Sequence, residues 1–208
     1  MHQFNTIEDA LKDFENGEFL IVMDNENREN EGDLTIAAQD ITPEKMAFLI
    51  RYTSGYVCCP TTAERFDQLK IPMMVPNNTD LEQTASGVSL DYRFGTTTGI
   101  SAADRALTCN ALADPSVTDP ADFIRPGHML PLRARPNGIL ERQGHTEASV
   151  ELCKLAGKFP TAIVSELCND NGTMKRKADC FEFSMEHGIK IITIDHLIKH
   201  VRQKNSLI

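Results

Sequence analysis

Apolar and polar positions along the chain alternate between two periods, one helical and one strand-like. From Thr6 to Asn16 the apolar residues Ile7, Ala10, Leu11 and Phe14 recur at helical spacing, and Gly17 ends the pattern. Phe19 to Met23 (FLIVM) is a continuous apolar run of strand length, and Leu34 to Ala38 is a second strand. Thr42 and Pro43 open a helix carrying Met46, Leu49 and Ile50, with proline in the first turn, where its missing N–H is not needed. Tyr56 to Cys59 is β-prone, IPMMVPNNTD reads as loop, and Val88 to Phe94 alternates as a strand does. Ser101 to Ala113 begins SAAD, a variant of the capping box, and is helical. Beyond it the pattern predicts a strand over Met129 to Ala134, after a Pro-Gly turn. It then predicts a helix over Thr146 to Ala156 with Thr146 as N-cap, and a strand over Thr161 to Leu167. A helix over Phe181 to His187, a strand over Lys190 to Ile194 and a last helix capped by Asp195 complete the series.

No repeat, low-complexity tract or linker interrupts this order, so one domain over residues 1–208 is expected. Alternating strands and helices favour a mixed-sheet α/β or α+β domain with helices over the sheet. Hydrophobic content of 41% and charged content of 25% are ordinary for a folded chain. The formal net charge of −9 argues against nonspecific binding to nucleic acid or to an anionic membrane, both of which need a basic face. The polar, acidic N-terminus is unlike a targeting signal, and no apolar run reaches membrane-spanning length. The six cysteines form no C-x-x-C pair and several lie in apolar segments, as expected of reduced thiols in a cytoplasmic protein.

Candidate chemistry is concentrated in a few stretches. DNENRENEGDL (Asp24 to Leu34) places five acids and Arg28 directly after an apolar strand. It fails as an EF-hand loop, because the fifth and sixth positions from Asp24 are Arg28 and Glu29, not an oxygen ligand and glycine. A solvated acidic turn is the ordinary reading of such a run. However, Glu29, Glu31 and Asp33 are spaced by two, and if extended they share one face with Arg28 on the other. Three carboxylates on one face need a cation, and hard oxygen ligands favour Mg²⁺ or Mn²⁺.

In ILERQGHTEAS, Gly144 permits close approach. A helix N-terminus at Thr146 beside Arg142 suits a phosphate, with His145 at its mouth. His128 follows Pro126-Gly127, where a surface turn histidine is the ordinary reading. Glu166 ends the apolar strand AIVSE, where a carboxylate needs a partner or a wet cleft. The Thr- and Gly-rich stretch RFGTTTGISAADR precedes a capped helix and offers a weaker anion contact.

Taken together, DNENRENEGDL, RYTSGYVC, IPMMVPNNT, TTTGISAADR, RPGHMLPLRA, RQGHTEAS, SELCNDNGTM and IITIDHLI resemble, in order and over nearly the whole chain, the 3,4-dihydroxy-2-butanone 4-phosphate synthases of riboflavin biosynthesis. The resemblance is to the monofunctional form, without a fused GTP cyclohydrolase II domain. It implies an α+β fold with a mixed β-sheet packed between α-helices, and a homodimer. The implied reaction converts D-ribulose 5-phosphate to 3,4-dihydroxy-2-butanone 4-phosphate and formate, with Mg²⁺, or Mn²⁺ in its place, as cofactor. By motif position Glu29 and His145 are the implied metal ligands, and His128 and Glu166 the acid–base pair. Arg28, Glu29, Asp33, Thr98, Arg142, Gly144, His145, Thr146 and Glu166 are the implied substrate contacts. Two other readings stay open: another metal-dependent sugar-phosphate isomerase or aldolase, which would release no formate, and an acidic binding module without turnover.

Overall fold

In the computed structural model, which describes residues 3–206, the strands β1 Leu20–Met23, β2 Gly32–Ala37, β3 Cys58–Thr61, β4 Leu90–Tyr92, β5 Phe123–Arg133, β6 Ala162–Glu166 and β7 Lys190–Thr193 form one sheet in the order β4-β5-β3-β6-β2-β1-β7. The sheet is mixed: β1–β7 and β3–β5 pair in parallel, whereas β1–β2, β2–β6, β3–β6 and β4–β5 are antiparallel. Among the described residues seven α-helices accompany it: α1 Ile7–Glu15, α2 Pro43–Tyr52, α3 Ala63–Gln68, α4 Ala102–Leu112, α5 His145–Leu155, α6 Lys177–His187 and α7 Ile194–Asn205. The expected α+β domain is the fold observed.

Successive strand residues point to opposite faces, and this alternation divides the core in two. Ile21, Met23, Leu34, Ile36, Cys59, Met129, Ile163 and Ile191 join the layer of α2, α3, α4 and α6. Leu20, Val22, Ala37, Ala162 and Ile192 join the opposite layer of α1, α5 and α7, where Phe14 is fully buried. A third, smaller cluster contains Cys58, Leu130, Leu132 and Val164. These side chains alternate with Cys59, Met129 and Ile163, so they lie on the α5 side of the sheet, where helices no longer cover it. That uncovered patch is the floor of a cavity.

Several boundaries differ from the sequence pattern, each for a local reason. Thr146 is not the N-cap of α5; Gly144 is, and the helix begins at His145. Asp195 does not cap α7: Thr193, the last residue of β7, accepts the His196 N–H at 3.1 Å, so strand passes into helix without a loop. His128 lies within β5 and not after a turn, because β5 runs from Phe123 through Pro126-Gly127. A Cβ at Gly127 would overlap the Leu90–Asp91 backbone, so glycine lets the two strands close here. The short α3, capped by Thr62, has no counterpart in the predicted pattern.

Candidate active site

The acidic stretch folds around its first carboxylate. Asp24 is buried at the end of β1, and its oxygens accept the N–H groups of Glu29 and Glu31, each at 2.9 Å, and Arg28 Nη1 at 3.1 Å. Asn30 takes a left-handed conformation (φ 55°), so Glu29 is not in continuous extended backbone with Glu31 and Asp33, although the three carboxylates remain close enough to act on one another. Glu29 and Asp33 line the cavity, whereas Glu31 lies 3.6 Å from Arg176. Arg28 does not point away as strand alternation predicts. It also lines the cavity and contacts Asp24, Glu29 and, at 2.9 Å, Glu82.

The N-terminus of α5 faces these acids. A Cβ at Gly144 would overlap the Arg142 guanidinium and press on Arg28, so glycine lets both arginines approach the helix start as they do here. No side chain caps the helix, leaving first-turn N–H groups and the positive dipole end available beside His145 and Thr146. Arg142 is held by Glu147 at 2.7 Å, Thr84 Oγ at 3.0 Å and the Glu82 carbonyl at 3.0 Å. Its fork retains N–H donors beyond these three bonds.

His145 organises the charge. Its Nε2 lies 3.0 Å from the Val22 carbonyl, which can only accept, so Nε2 carries a proton. Nδ1 then faces Glu29 Oε2 at 3.6 Å, while Asp33 Oδ1 lies 3.7 Å from Nε2. Burial disfavours the imidazolium, but Asp33, Asp24 and Glu29 outweigh it and hold His145 up to about 9. The approach of His145, aided by Arg28 against partial burial, brings Glu29 down to about 2. Burial, with the Glu166, Glu29 and Glu31 carboxylates nearby, pushes Asp33 up to about 7 despite His145. Asp33 Oδ1 is buried without a hydrogen-bond partner among the described residues.

This donor set fits a divalent ion. Ligand atoms of Asp24, Glu29 and His145 lie within 4.8 Å of one another, and the orphaned Asp33 oxygen is adjacent. Asp24 already accepts three hydrogen bonds, which leaves Glu29 and the Nδ1 of a neutral His145 as the freer donors. Asp24 was not singled out in the sequence; its position directly after an apolar run is the signal that could have marked it.

The cavity has a volume of about 550 Å³. It is lined by Arg28, Glu29, Asp33, Arg142, His145, Thr146 and Glu166, and by residues between Met73 and Thr84. The structure thus brings together the sequence candidates from three stretches. It does not bring in His128 or Thr98, neither of which lines this cavity. His128 instead forms a dyad with Asp91, whose Oδ2 lies 2.7 Å from Nδ1 and whose Oδ1 accepts the His128 N–H at 2.8 Å. A Cβ at Gly99 would overlap both members of the dyad, so the loop bearing exposed Thr98 passes against it. Asp91 was also absent from the sequence candidates, since only the β4–β5 pairing reveals its relation to His128.

Comparison with known proteins identifies the family. The family model for 3,4-dihydroxy-2-butanone 4-phosphate synthase matches residues 8–200. The protein of that name from Schizosaccharomyces pombe is 58% identical over 198 residues, covering 95% of this chain and 97% of the relative. The one from Candida albicans is 55% identical, over 95% of this chain and 97% of its own length. A solved 3,4-dihydroxy-2-butanone 4-phosphate synthase in complex with two magnesium ions superposes with a TM-score of 0.95 at 46% identity, over 97% of this chain and 99% of that one. On a match this extensive in both sequence and fold, the chain belongs to the 3,4-dihydroxy-2-butanone 4-phosphate synthase family.

Proposed function

We propose that this protein is the lyase of riboflavin biosynthesis that converts D-ribulose 5-phosphate to 3,4-dihydroxy-2-butanone 4-phosphate and formate. The observation that carries the reading is one cavity that holds two kinds of group. Carboxylates gather around His145, and Arg142 stands with the open N-terminus of α5 beside them. A phosphorylated sugar has the same two-part character.

Arg142, Thr146 and the first-turn N–H groups of α5 hold the phosphate. Glu29 and His145 hold Mg²⁺, or Mn²⁺ in its place, with Asp24 and Asp33 beside them. The bound ion supplies charge stabilisation for oxygens that become anionic during enolisation. Glu166 and His128 take and return protons as the C3 hydrogen leaves, water is lost, the carbon skeleton shifts, water adds back at C4 and C4 departs as formate. Arg28 orients the acidic loop and contacts the sugar. The atoms of substrate and products balance, so no oxidant or reductant is required.

His128 serves this cavity if a second copy of the chain brings it there, and we infer a homodimer with shared sites. β4 is an edge strand, and Phe94, Ile100 and Ile124 beside the dyad are 53%, 52% and 43% exposed. Apolar groups on an open edge suit contact with another chain. A cytoplasmic setting is supported by six free thiols, five of them buried. Among the described residues no helix is long and apolar enough to cross a membrane.

Incubation with ribulose 5-phosphate labelled at C4 tests the reading. Labelled formate is expected with Mg²⁺, is abolished by EDTA and returns on adding Mg²⁺. An isomerised or cleaved sugar without formate would identify a different sugar-phosphate enzyme.

A further inference from the structure

We infer that Ser54 is a positioning residue for Glu166, which rests on the reading of Glu166 as an acid–base group. Ser54 follows α2 directly after Thr53, and meets the end of β6 through two bonds. Its N–H donates to the Glu166 carbonyl at 2.8 Å, and its hydroxyl donates to Glu166 Oε2 at 2.6 Å. The same Oγ accepts the Tyr56 N–H at 3.2 Å. A hydroxyl has a single proton, so this acceptance directs that proton to the carboxylate. Ser165 Oγ is the competing partner, but it lies farther away at 3.4 Å and itself reaches the Tyr56 carbonyl at 3.3 Å.

The physical consequence is a fixed carboxylate. A glutamate has three rotatable side-chain bonds, and one at a strand end beside open space samples several rotamers. The Ser54 clamp joins residues 112 apart in sequence, tying one oxygen of Glu166 to backbone that is itself hydrogen-bonded to β6. The group facing the sugar is thereby held before substrate arrives. Ser54 is itself exposed, so its side chain contributes little to the core and its removal leaves the fold in place.

The experiment is steady-state kinetics on the full chain with ribulose 5-phosphate and Mg²⁺, comparing Ser54→Ala, Ser54→Thr, Glu166→Gln and the double variant. Ser54→Ala is expected to lower kcat about ten- to a hundredfold, the usual effect of removing a partner that orients a functional group, with KM within about twofold of the parent. Ser54→Thr keeps the hydroxyl and recovers most of the loss. Ser54→Ala adds nothing beyond about twofold to Glu166→Gln, because the group it positions is gone. Unchanged kcat in Ser54→Ala, beside an inactive Glu166→Gln, overturns the positioning role and leaves Glu166 in place. A raised KM with unchanged kcat also overturns it, in favour of substrate binding. Full turnover by Glu166→Gln overturns the reading of Glu166 and this inference with it. Should Ser54→Ala not fold by circular dichroism, Ser54→Cys, a near-isostere with a weak donor, decides the matter on the same criteria.

Discussion

The two polar clusters of this chain are built on opposite electrostatic plans. Around His145, Glu29, Asp33 and Asp24 crowd one imidazole, Glu31 and Glu166 stand nearby, and one buried oxygen of Asp33 has no hydrogen-bond partner among the described residues. Around His128 the hydrogen bonding is closed: Asp91 uses both oxygens on the histidine, and Asp104 accepts from the Thr97 N–H, the Thr97 hydroxyl and the Gly99 N–H at 2.9, 2.7 and 3.0 Å. An unbalanced cluster calls for a ligand that completes it. A balanced one holds a single group rigid and presents it outward. The first plan suits binding of a cation and a sugar, and the second suits delivery of one proton-transferring side chain to another surface.

Each region can be broken separately, and the largest effect is expected where both must act on one substrate. His128→Asn and Glu166→Gln should each fold, bind substrate and lose at least about a hundredfold in turnover. Mixing the two inactive variants should restore roughly a quarter of parental activity, since random exchange makes half the dimers mixed and each mixed dimer holds one intact site. Failure to recover activity after subunit exchange, followed by mass-tagged protomers, would place His128 and Glu166 in the same chain's site. Next in size is the cationic part of the cavity. Arg142→Ala should weaken ribulose 5-phosphate binding by about 1.5–3 kcal/mol, the range of a charge-assisted hydrogen bond, measured by calorimetry with Mg²⁺ present. Equal affinity would move the phosphate elsewhere.

The smallest effect concerns the closed cluster's own stability. The Thr97 N–H and hydroxyl, with the Gly99 N–H, hold the Asp104 carboxyl down to about 2 from 3.8. A depressed folded pKa contributes stability that is fully present above the unfolded value and is lost as pH falls through the folded one. Asp104→Asn should therefore destabilise the fold at neutral pH. Its deficit should shrink between about pH 4 and pH 2, read from denaturant midpoints of parent and variant. A deficit independent of pH would mean that the loop is held by packing instead.

Much of the site was legible in one dimension because its chemistry is local. Glu29, Arg142, His145 and Thr146 could be named from short stretches, since a helix N-terminus, an adjacent arginine and clustered acids are nearest-neighbour features. Local reasoning failed where a single backbone dihedral decided direction. Strand alternation put Arg28 opposite Glu29 and grouped Glu31 with Asp33. The left-handed Asn30 and the hydrogen bonds to Asp24 turn Arg28 into the cavity and Glu31 out towards Arg176.

Periodicity and side-chain chemistry belong to neighbouring positions, so the alternation of strands and helices and the residue types that can bind a cation and a phosphate are written along the chain. Folding in three dimensions is what brings Glu29 and His145, more than a hundred residues apart, into one cavity, sets Asp91 against His128 and joins Ser54 to Glu166. Such pairings depend on which strands lie side by side. Strand order comes from the packing of the whole chain against two helical layers, which no short stretch encodes.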